Sequence, residues 1–492
     1  MSKRERKARE DRLEQALFGL EQQRVKPSAE AAPSGRQGAL PFQYEPEPDG
    51  DEVTAWSGLP LIVETMKKLG VEASAATLDT RQRDAGFSAF EVLTAFVLLM
   101  AAGGDCFDDI DMLREDKALC TLLGHALPSA EKLRATLETF HDPTLMAKRA
   151  DHAGKAWIAP ESARLLQLAE LCKGFVRAAL KNEPTPVTRA TVDHDASVIE
   201  AHKKDALPHY KGGRGYQPAT AMWAETGYVL ADEFRDGNVP AAMNNVPLIE
   251  RAFAVLPDSV TERFFRADSA CYDEKVLKWL AEPSRKIGFA ISADMTKELR
   301  SACVALDPKA WSLFDRRADM IVDVADVEFT TGNWPKDAEP LRYLALRMTP
   351  SQGSLFADGA SVRYFAVVTN RKGDAGEIVD WHRQKAGSIE AVHDITKNEL
   401  GAGVLPSGKF GANAAWYRLS LFTHNVLVAM KRLVLPPDLR KARPKRLRLR
   451  VFALAAKVIS HARQLVARVA KRLLDAADIL LARRRILALT SA

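Results

Sequence analysis

Hydrophobic and polar positions divide the chain into stretches of different period. Residues 3–24 are dense in Lys, Arg, Glu and Gln, with Leu13, Leu17 and Leu20 at helical spacing, which predicts a short, mostly solvated helix. Residues 25–50 hold Pro27, Pro33, Pro41, Pro46 and Pro48 among few apolar residues and read as a flexible linker. From 58 to 150 the pattern is helical. Ser88 is placed to cap a helix carrying Phe90, Leu93, Phe96, Val97 and Met100, closed by Gly103-Gly104. Shorter helices are expected at 108–114 and 116–123. Pro128-Ser129-Ala130-Glu131 opens another to about Phe140, with Lys132 and Arg134 near its start. Short helices, tight turns and a capped basic helix suit a helix-turn-helix unit that touches DNA; an ordinary helical bundle has the same pattern.

Beyond about 185 the period shortens. Val187–Val192 reads as a strand, and Tyr216–Trp223 with Tyr228–Phe234 flank the hairpin signal Glu225-Thr226-Gly227. A helix is expected at Val246–Leu256, a strand at Arg263–Ala267, a helix at Glu274–Leu280 and a strand at Ile287–Ile291. Strand-like runs follow at Met320–Phe329, Leu341–Met348 and Val362–Val368, before helices at 387–400 and from Asn413 to Leu433. Three β-rich runs ahead of the late helices predict a β insertion inside an α/β core.

Length and charge refine this picture. At 492 residues the chain has a prior of about three domains, and 47% hydrophobic with 27% charged residues is globular composition. Val92–Gly104, 13 residues without a charge, falls short of the ~18 a membrane helix needs, and the start carries no secretory pattern. Cys106, Cys120, Cys172, Cys271 and Cys303 are odd in number and form no C-x-x-C, so a reducing cytosol fits better than a disulfide framework or a zinc ribbon. Residues 431–492 hold 17 Lys and Arg against three acids, a net of +14, and leave the rest of the chain at −8. Such a basic tail points to a polyanion, nucleic acid before an anionic membrane. Within it Arg440–Arg450 alternates Arg and Leu, which predicts a strand with one cationic face (Arg443, Lys445 and Arg446 among its cations) after a turn at Pro444. Val451–Leu489 then reads as helical. Phosphate contact and a solvated or partner-packed basic helix both fit this tail.

Three acidic sites carry candidate chemistry. In Thr191-Val192-Asp193-His194-Asp195-Ala196-Ser197, Asp193 and Asp195 face one side of a strand, roughly 7 Å apart, unless they are an ordinary solvated strand end. In Arg263-Phe264-Phe265-Arg266-Ala267-Asp268-Ser269, an apolar strand delivers Asp268 to its C-terminal end, where open α/β sheets bind ligands; N-capping of the next helix explains the same residue. In Glu390-Ala391-Val392-His393-Asp394-Ile395-Thr396-Lys397, a seven-residue step returns Lys397 to the azimuth of Glu390, with His393 and Asp394 on the same face, as on any mixed-charge surface helix. Together the carboxylates suit hard divalent ions, two of which about 4 Å apart serve phosphodiester chemistry, with the lysine holding a phosphate. His382, His393 and His424 lack metal-ligand spacing, and no P-loop, G-x-S-x-G or G-x-G-x-x-G occurs.

With these residues in view, the chain from about 57 to 470 resembles bacterial insertion-sequence transposases of the DDE type. The resemblance implies an α/β fold: an RNase H-like core interrupted by a β-rich insertion, with an N-terminal helical domain and a basic C-terminal tail. The expected boundaries are 1–56 for the basic helix and linker, 57–184 for a DNA-binding helical domain, 185–292 and 373–436 for the core, 293–372 for the insertion and 437–492 for the tail. One group of these enzymes carries, on its Glu helix, Tyr, two residues, Arg, three residues, Glu, six residues, Lys. Here Glu390 and Lys397 keep the last gap, His382 stands in the tyrosine place, and Lys385 in the arginine place with four residues before Glu390. Asp195-Ala196-Ser197 fits the first aspartate's context better than Asp193, which stays as alternative or helper, and Asp268 matches the second. The spacings are 73 and 122 residues, the longer one resembling the group's β insertion. Gly103–Ile110, Lys397–Ala402 and the helix from Asn413 are similar too.

The resemblance further implies two Mg²⁺ ions, replaceable by Mn²⁺, with Asp195 on both, Asp268 on one and Glu390 on the other. It assigns phosphate or DNA contacts to Lys397, Lys385 and His382, beside those of the tail. The implied reaction is cleavage at the element's terminal inverted repeats and strand transfer into target DNA, by a homodimer in a synaptic complex, in the bacterial cytoplasm at the nucleoid, with no membrane. An inactive DNA-binding repressor, or a structure-specific nuclease on the same fold, is the alternative.

Overall fold

The computed structural model describes residues 52–491 except 79–85, 153, 333, 336, 352–355, 357–359, 462–463 and 470–473. The predicted helix at 3–24 and linker at 25–50 lie outside the described residues.

Nine strands make a central mixed sheet. In chain order they are β1 (Arg189–Ala196), β2 (Ala219–Trp223), β3 (Val229–Glu233), β4 (Glu262–Ala267), β5 (Ile287–Ala293), β6 (Ser312–Arg316), β7 (Met320–Val327), β8 (Arg342–Pro350) and β9 (Arg363–Thr369). Their order across the sheet is β6-β7-β8-β9-β5-β4-β1-β2-β3. β4 runs parallel to both β1 and β5, and the remaining neighbours are antiparallel. The expected hairpin at Glu225-Thr226-Gly227 joins β2 to β3, with Gly227 in the left-handed region at φ 83°.

The β-rich segment after β5 is continuous with the main sheet. β9 pairs with β5 from Ala366↔Ala293 to Thr369↔Ala290, so β6–β9 prolong the main sheet. The physical reason is the edge of β5, whose open backbone groups take β9 as their partner.

Helices cover the sheet. Those used below are α1 (Ala89–Ala102), α2 (Ala130–Glu138), α3 (Ala163–Lys181), α4 (Val246–Val255), α5 (Ala375–Arg383), α6 (Lys385–Glu399), α7 (Phe410–Ala429) and α8 (Leu474–Ala488). α1 starts on a full capping box: Ser88 Oγ accepts the Glu91 N–H (3.2 Å), and the Glu91 carboxylate accepts the Ser88 N–H (2.6 Å). It ends on Gly103 at φ 102°. Every residue of α7 is buried, and α1, α2 and α3 pack against it, so the N-terminal helices share one core with the sheet. Within that segment Lys132 and Arg134 of α2 face solvent, while Leu133 and Leu137 point inward. Residues 51–492 form one compact unit.

Two readings of the C-terminal segment change. Residues 444–452 form the short helix Pro444–Leu447 and a wide turn Arg448–Phe452, not a strand, because Leu447, Val451 and Phe452 are drawn into the core. The stretch read as helical from Val451 is first a hairpin, Ala456–His461 with Gln464–Val469, and only then α8. Its strand character has a distant cause: Val53 and Thr54 pair with Lys457 and Ala456. The tail is therefore folded onto the body, with α8 packed on the helix Pro60–Lys68.

Candidate active site

Side chains alternate across β1, so Asp193 and Asp195 share one face and His194 the other. The shared face looks at α6. On the far face the His194 ring meets Cys271 Sγ at 3.3 Å, and burial pushes the histidine down to about 3, so it is a neutral core residue.

Parallel pairing sets β4 level with β1: Asp193 lies opposite Arg266, and His194 opposite Ala267. One residue past that last pair, Asp195 and Asp268 come to adjacent places at the same sheet edge. Phe265 and Ala267, fully buried, anchor β4 up to this point. Asp268 then turns the chain, its Oδ1 accepting the Ala270 N–H at 3.1 Å, so it caps the next short turn as well as standing at the edge.

Asp193 is fully engaged. Arg266 donates to both of its oxygens, Nε to Oδ1 at 2.7 Å and a terminal nitrogen to Oδ2 at 2.9 Å, and Ser388 Oγ donates to Oδ2. Both partners of this ion pair are almost wholly buried, at 0% and 3% exposure. Arg266 also donates to the Trp381 carbonyl oxygen (2.5 Å) and lies over the Trp381 ring, fastening α5 to the sheet. Asp193 is thereby occupied as a structural helper.

Asp195 has looser company. Lys385 Nζ is 3.6 Å from Oδ1 and His393 Nε2 is 3.7 Å from Oδ2, both beyond good hydrogen-bond length. Burial, followed by the charges of Asp268 and Glu390, lifts Asp195 to about 6; Lys385 opposes the rise. Glu390 extends from the exposed side of α6, next to buried Ile389, and acts on Asp195 through its charge. The charges of Asp268 and Glu390 thus both reach Asp195. They do not all stand within 4.8 Å of one another: among the described residues, the group of three His, Cys, Asp or Glu that does is Asp105, Cys106 and Asp109. There Asp109 Oδ2 accepts the N–H groups of Asp105 and Cys106, which accounts for the cluster as a turn cap.

Lys397 lies at the same end. Its Nζ donates to the Val198 carbonyl oxygen at 2.7 Å and to Ser197 Oγ. Burial and the nearby Lys211 lower it to about 8, against the pull of Asp195. Of the two family positions upstream, Lys385 is buried and His382 partly so. His382 Nε2–H donates to the Ala267 carbonyl oxygen at 3.0 Å, and burial pushes it down to about 4. It steadies the residue before Asp268. Lys385 faces Asp195.

The tail cations are elsewhere, at the C-terminal end of α6. Arg443 donates to Glu399 and to Asp394, each at 2.5 Å, and the Lys445 N–H donates to Glu399 Oε2. The side chains of Lys445 and Arg446 are exposed. Two participants escaped the reading of the sequence, Arg266 and Ser388, and the approach of His393 to Asp195 was not foreseen. Their signal was weak because each partner is at least 195 residues away or on a strand whose register no single motif reveals.

Comparison with known proteins agrees with the family drawn from the residues. A family model described as transposase DDE domain group 1 matches residues 43–490. The chain belongs to this family and is a DDE transposase. Enzymes of this class use divalent metal ions. No curated protein matches the chain. Among solved structures it is similar to a piggyBac transposase in a synaptic complex with hairpin DNA, at 10% identity and a TM-score of 0.42, over 75% of this chain and 74% of that one. No helix among the described residues is long and apolar enough to cross a membrane.

Proposed function

We propose that the chain cleaves DNA at the ends of a bacterial insertion sequence and joins the freed ends to target DNA, with Asp195, Asp268 and Glu390 holding two Mg²⁺ ions, for which Mn²⁺ substitutes. One observation carries this reading. Parallel strands bring Asp195 and Asp268 side by side at one sheet edge, and Glu390 adds its charge from the helix across them. The arrangement β3-β2-β1-β4-β5 fits the RNase H-like core that the resemblance implies.

The donor set fits hard divalent ions: three carboxylates, with burial first and neighbouring negative charge after it raising Asp195. Asp195 would hold both ions, Asp268 one and Glu390 the other. Bound there, the ions supply Lewis-acid charge for attack on phosphorus and departure of the leaving oxygen.

The chain's own groups do the rest. Arg266 and Ser388 fix Asp193, and through it the strand that carries Asp195. His382 holds the backbone ahead of Asp268. Lys397, with Lys211 beside it, offers positive charge to a phosphate near the scissile bond. Water opens the phosphodiester at the element end, and the freed 3′ hydroxyl attacks the target. Two ends must be brought together, so the acting form is a homodimer, at work on the nucleoid.

The test is Asp268→Asn. It is expected to abolish Mg²⁺-dependent nicking of an end-containing duplex while leaving binding of that duplex nearly unchanged. Nicking at the unaltered rate would refute the assignment.

A further inference from the structure

A small sheet beside the site ends in a turn that the function described so far leaves without a task. Past Ser197 the chain of β1 continues into Ile199–Glu200, which pairs with Gly215 and Tyr216. Arg214 and Gly215 pair in turn with Pro208 and Leu207. Residues 209–213 close this sheet, and Tyr210 stands in that turn, 76% exposed.

The turn is tightly ordered. The His209 N–H donates to the Gly213 carbonyl oxygen (2.9 Å), the Gly212 N–H to the His209 carbonyl oxygen (3.0 Å) and the Lys211 N–H to His209 Nδ1 (3.2 Å). Gly212 is at φ 89°, and a Cβ on Gly213 would stand 2.8 Å from the buried His209 ring. At the base, Arg214 donates to the carbonyl oxygens of Ala206 (2.7 Å) and Lys204 (3.2 Å). The backbone thus holds a large aromatic ring in a fixed place without burying it.

The surroundings select a partner. Residues 202–214 carry Lys203, Lys204, Lys211 and Arg214 against Asp205 alone. Lys211 Nζ lies over the Tyr210 ring, 5.7 Å from its centre, near the outer limit of a cation–π contact. The charge of Lys211 also reaches Lys397, whose Nζ is fastened to the Val198 carbonyl oxygen just before this small sheet. An aromatic ring set among cations is the composition of a stacking platform for unpaired nucleotides. Inside an intact duplex each base hides both faces against its neighbours. A face is free where the stack is broken, as it is at a nick.

We infer that Tyr210 stacks on a base laid bare at the nicked element end, and so holds the freed 3′ hydroxyl in place for its attack on target DNA. The inference rests on the DNA-cleavage reading given above. Tyr210 is here a positioning residue, and Lys211 beside it meets a phosphate of the same end.

The experiment compares the affinity of the full chain for an intact and a pre-nicked end-containing duplex, without divalent ions, by fluorescence anisotropy. The unaltered chain should hold the nicked duplex roughly tenfold more tightly. Tyr210→Ala should lose that preference, and Tyr210→Phe should keep it within about twofold, because the ring and not the hydroxyl stacks. Tyr210→Ala should leave the salt slope as it is, whereas Lys211→Ala should lower it by about one. A base-free nucleotide on one side of the nick should cost the unaltered chain as much as Tyr210→Ala does, and cost Tyr210→Ala nothing further. Equal affinity of the unaltered chain for the two duplexes, or a preference that survives in Tyr210→Ala, overturns the stacking alone. A chain that also fails to nick the intact duplex with Mg²⁺ overturns the cleavage reading and the stacking with it.

Discussion

Two successive rungs of one strand pair treat the same residue type in opposite ways. On β1, Asp193 and Asp195 are two residues apart and face the same helix. On β4 Arg266 lies opposite Asp193, and Asp268 follows the strand's last residue, Ala267. The inner rung joins a carboxylate to a guanidinium by two short hydrogen bonds, with both groups out of solvent. The outer rung sets a carboxylate beside a carboxylate, and Asp195 is lifted to about 6 by burial and by this like charge. Composition alone does not distinguish the two aspartates; the partner strand does. A matched rung holds the sheet together, and an unmatched one leaves negative charge for a cation to neutralise.

Breaking the matched rung should have the largest effect on stability. Arg266→Met leaves Asp193 buried without its partner and is expected to cost about 3–5 kcal/mol in chemical denaturation. A loss below about 1 kcal/mol would show that the inner rung is not what fixes the strands.

The unmatched rung should respond with the opposite sign. In metal-free protein at neutral pH, Asp195→Asn removes a repelled carboxylate and should stabilise the fold, on the order of 1–2 kcal/mol. Destabilisation by that variant would contradict the contrast.

The same rung also sets a pH window. Asp195 is raised in the folded chain, from an ordinary 3.8 to about 6, so folding binds a proton between these values. Its contribution to stability is full below about 4 and is lost as pH rises through about 6. Mg²⁺ requires the ionised form, so its affinity should fall by up to tenfold per unit below pH 6, measured by calorimetry. A flat affinity from pH 5 to 7 would remove Asp195 from the ligand set.

The smallest effect is expected away from the sheet. Lys445→Ala with Arg446→Ala touches exposed side chains, so the melting temperature should hold while the slope of log affinity for DNA against log salt falls by about two. An unchanged slope would take these cations out of the DNA contact.

Local chemistry was legible in the sequence. Ser88 as a helix cap, the Glu225-Thr226-Gly227 hairpin and the apolar run ending in Asp268 were all readable, because each depends on neighbours within a few residues. What could not be read depends on distant partners. Ala456–His461 is a strand paired with Gln464–Val469 and, at its start, with Val53–Thr54, and no helical or alternating period announces the distant pairing. Ala375–Arg383, an unforeseen helix, is held by Asp374 at its cap and by contact with the extended sheet. At the site, the residue spacing suggested the acids, yet it did not bring His393 to Asp195, which lies on a strand almost two hundred residues earlier.

The pairing of Val53–Thr54 with Ala456–Lys457 carries a lesson about manufacture. A ribosome releases these two segments far apart in time, so the seam between them closes only after the later one has emerged. A prematurely terminated product lacks that seam, along with the α8 side chains that cover the Pro60–Lys68 helix. Damage to the reading frame late in the gene is then expected to give a chain that fails to fold, rather than a shortened protein that still grips DNA and blocks its intact siblings.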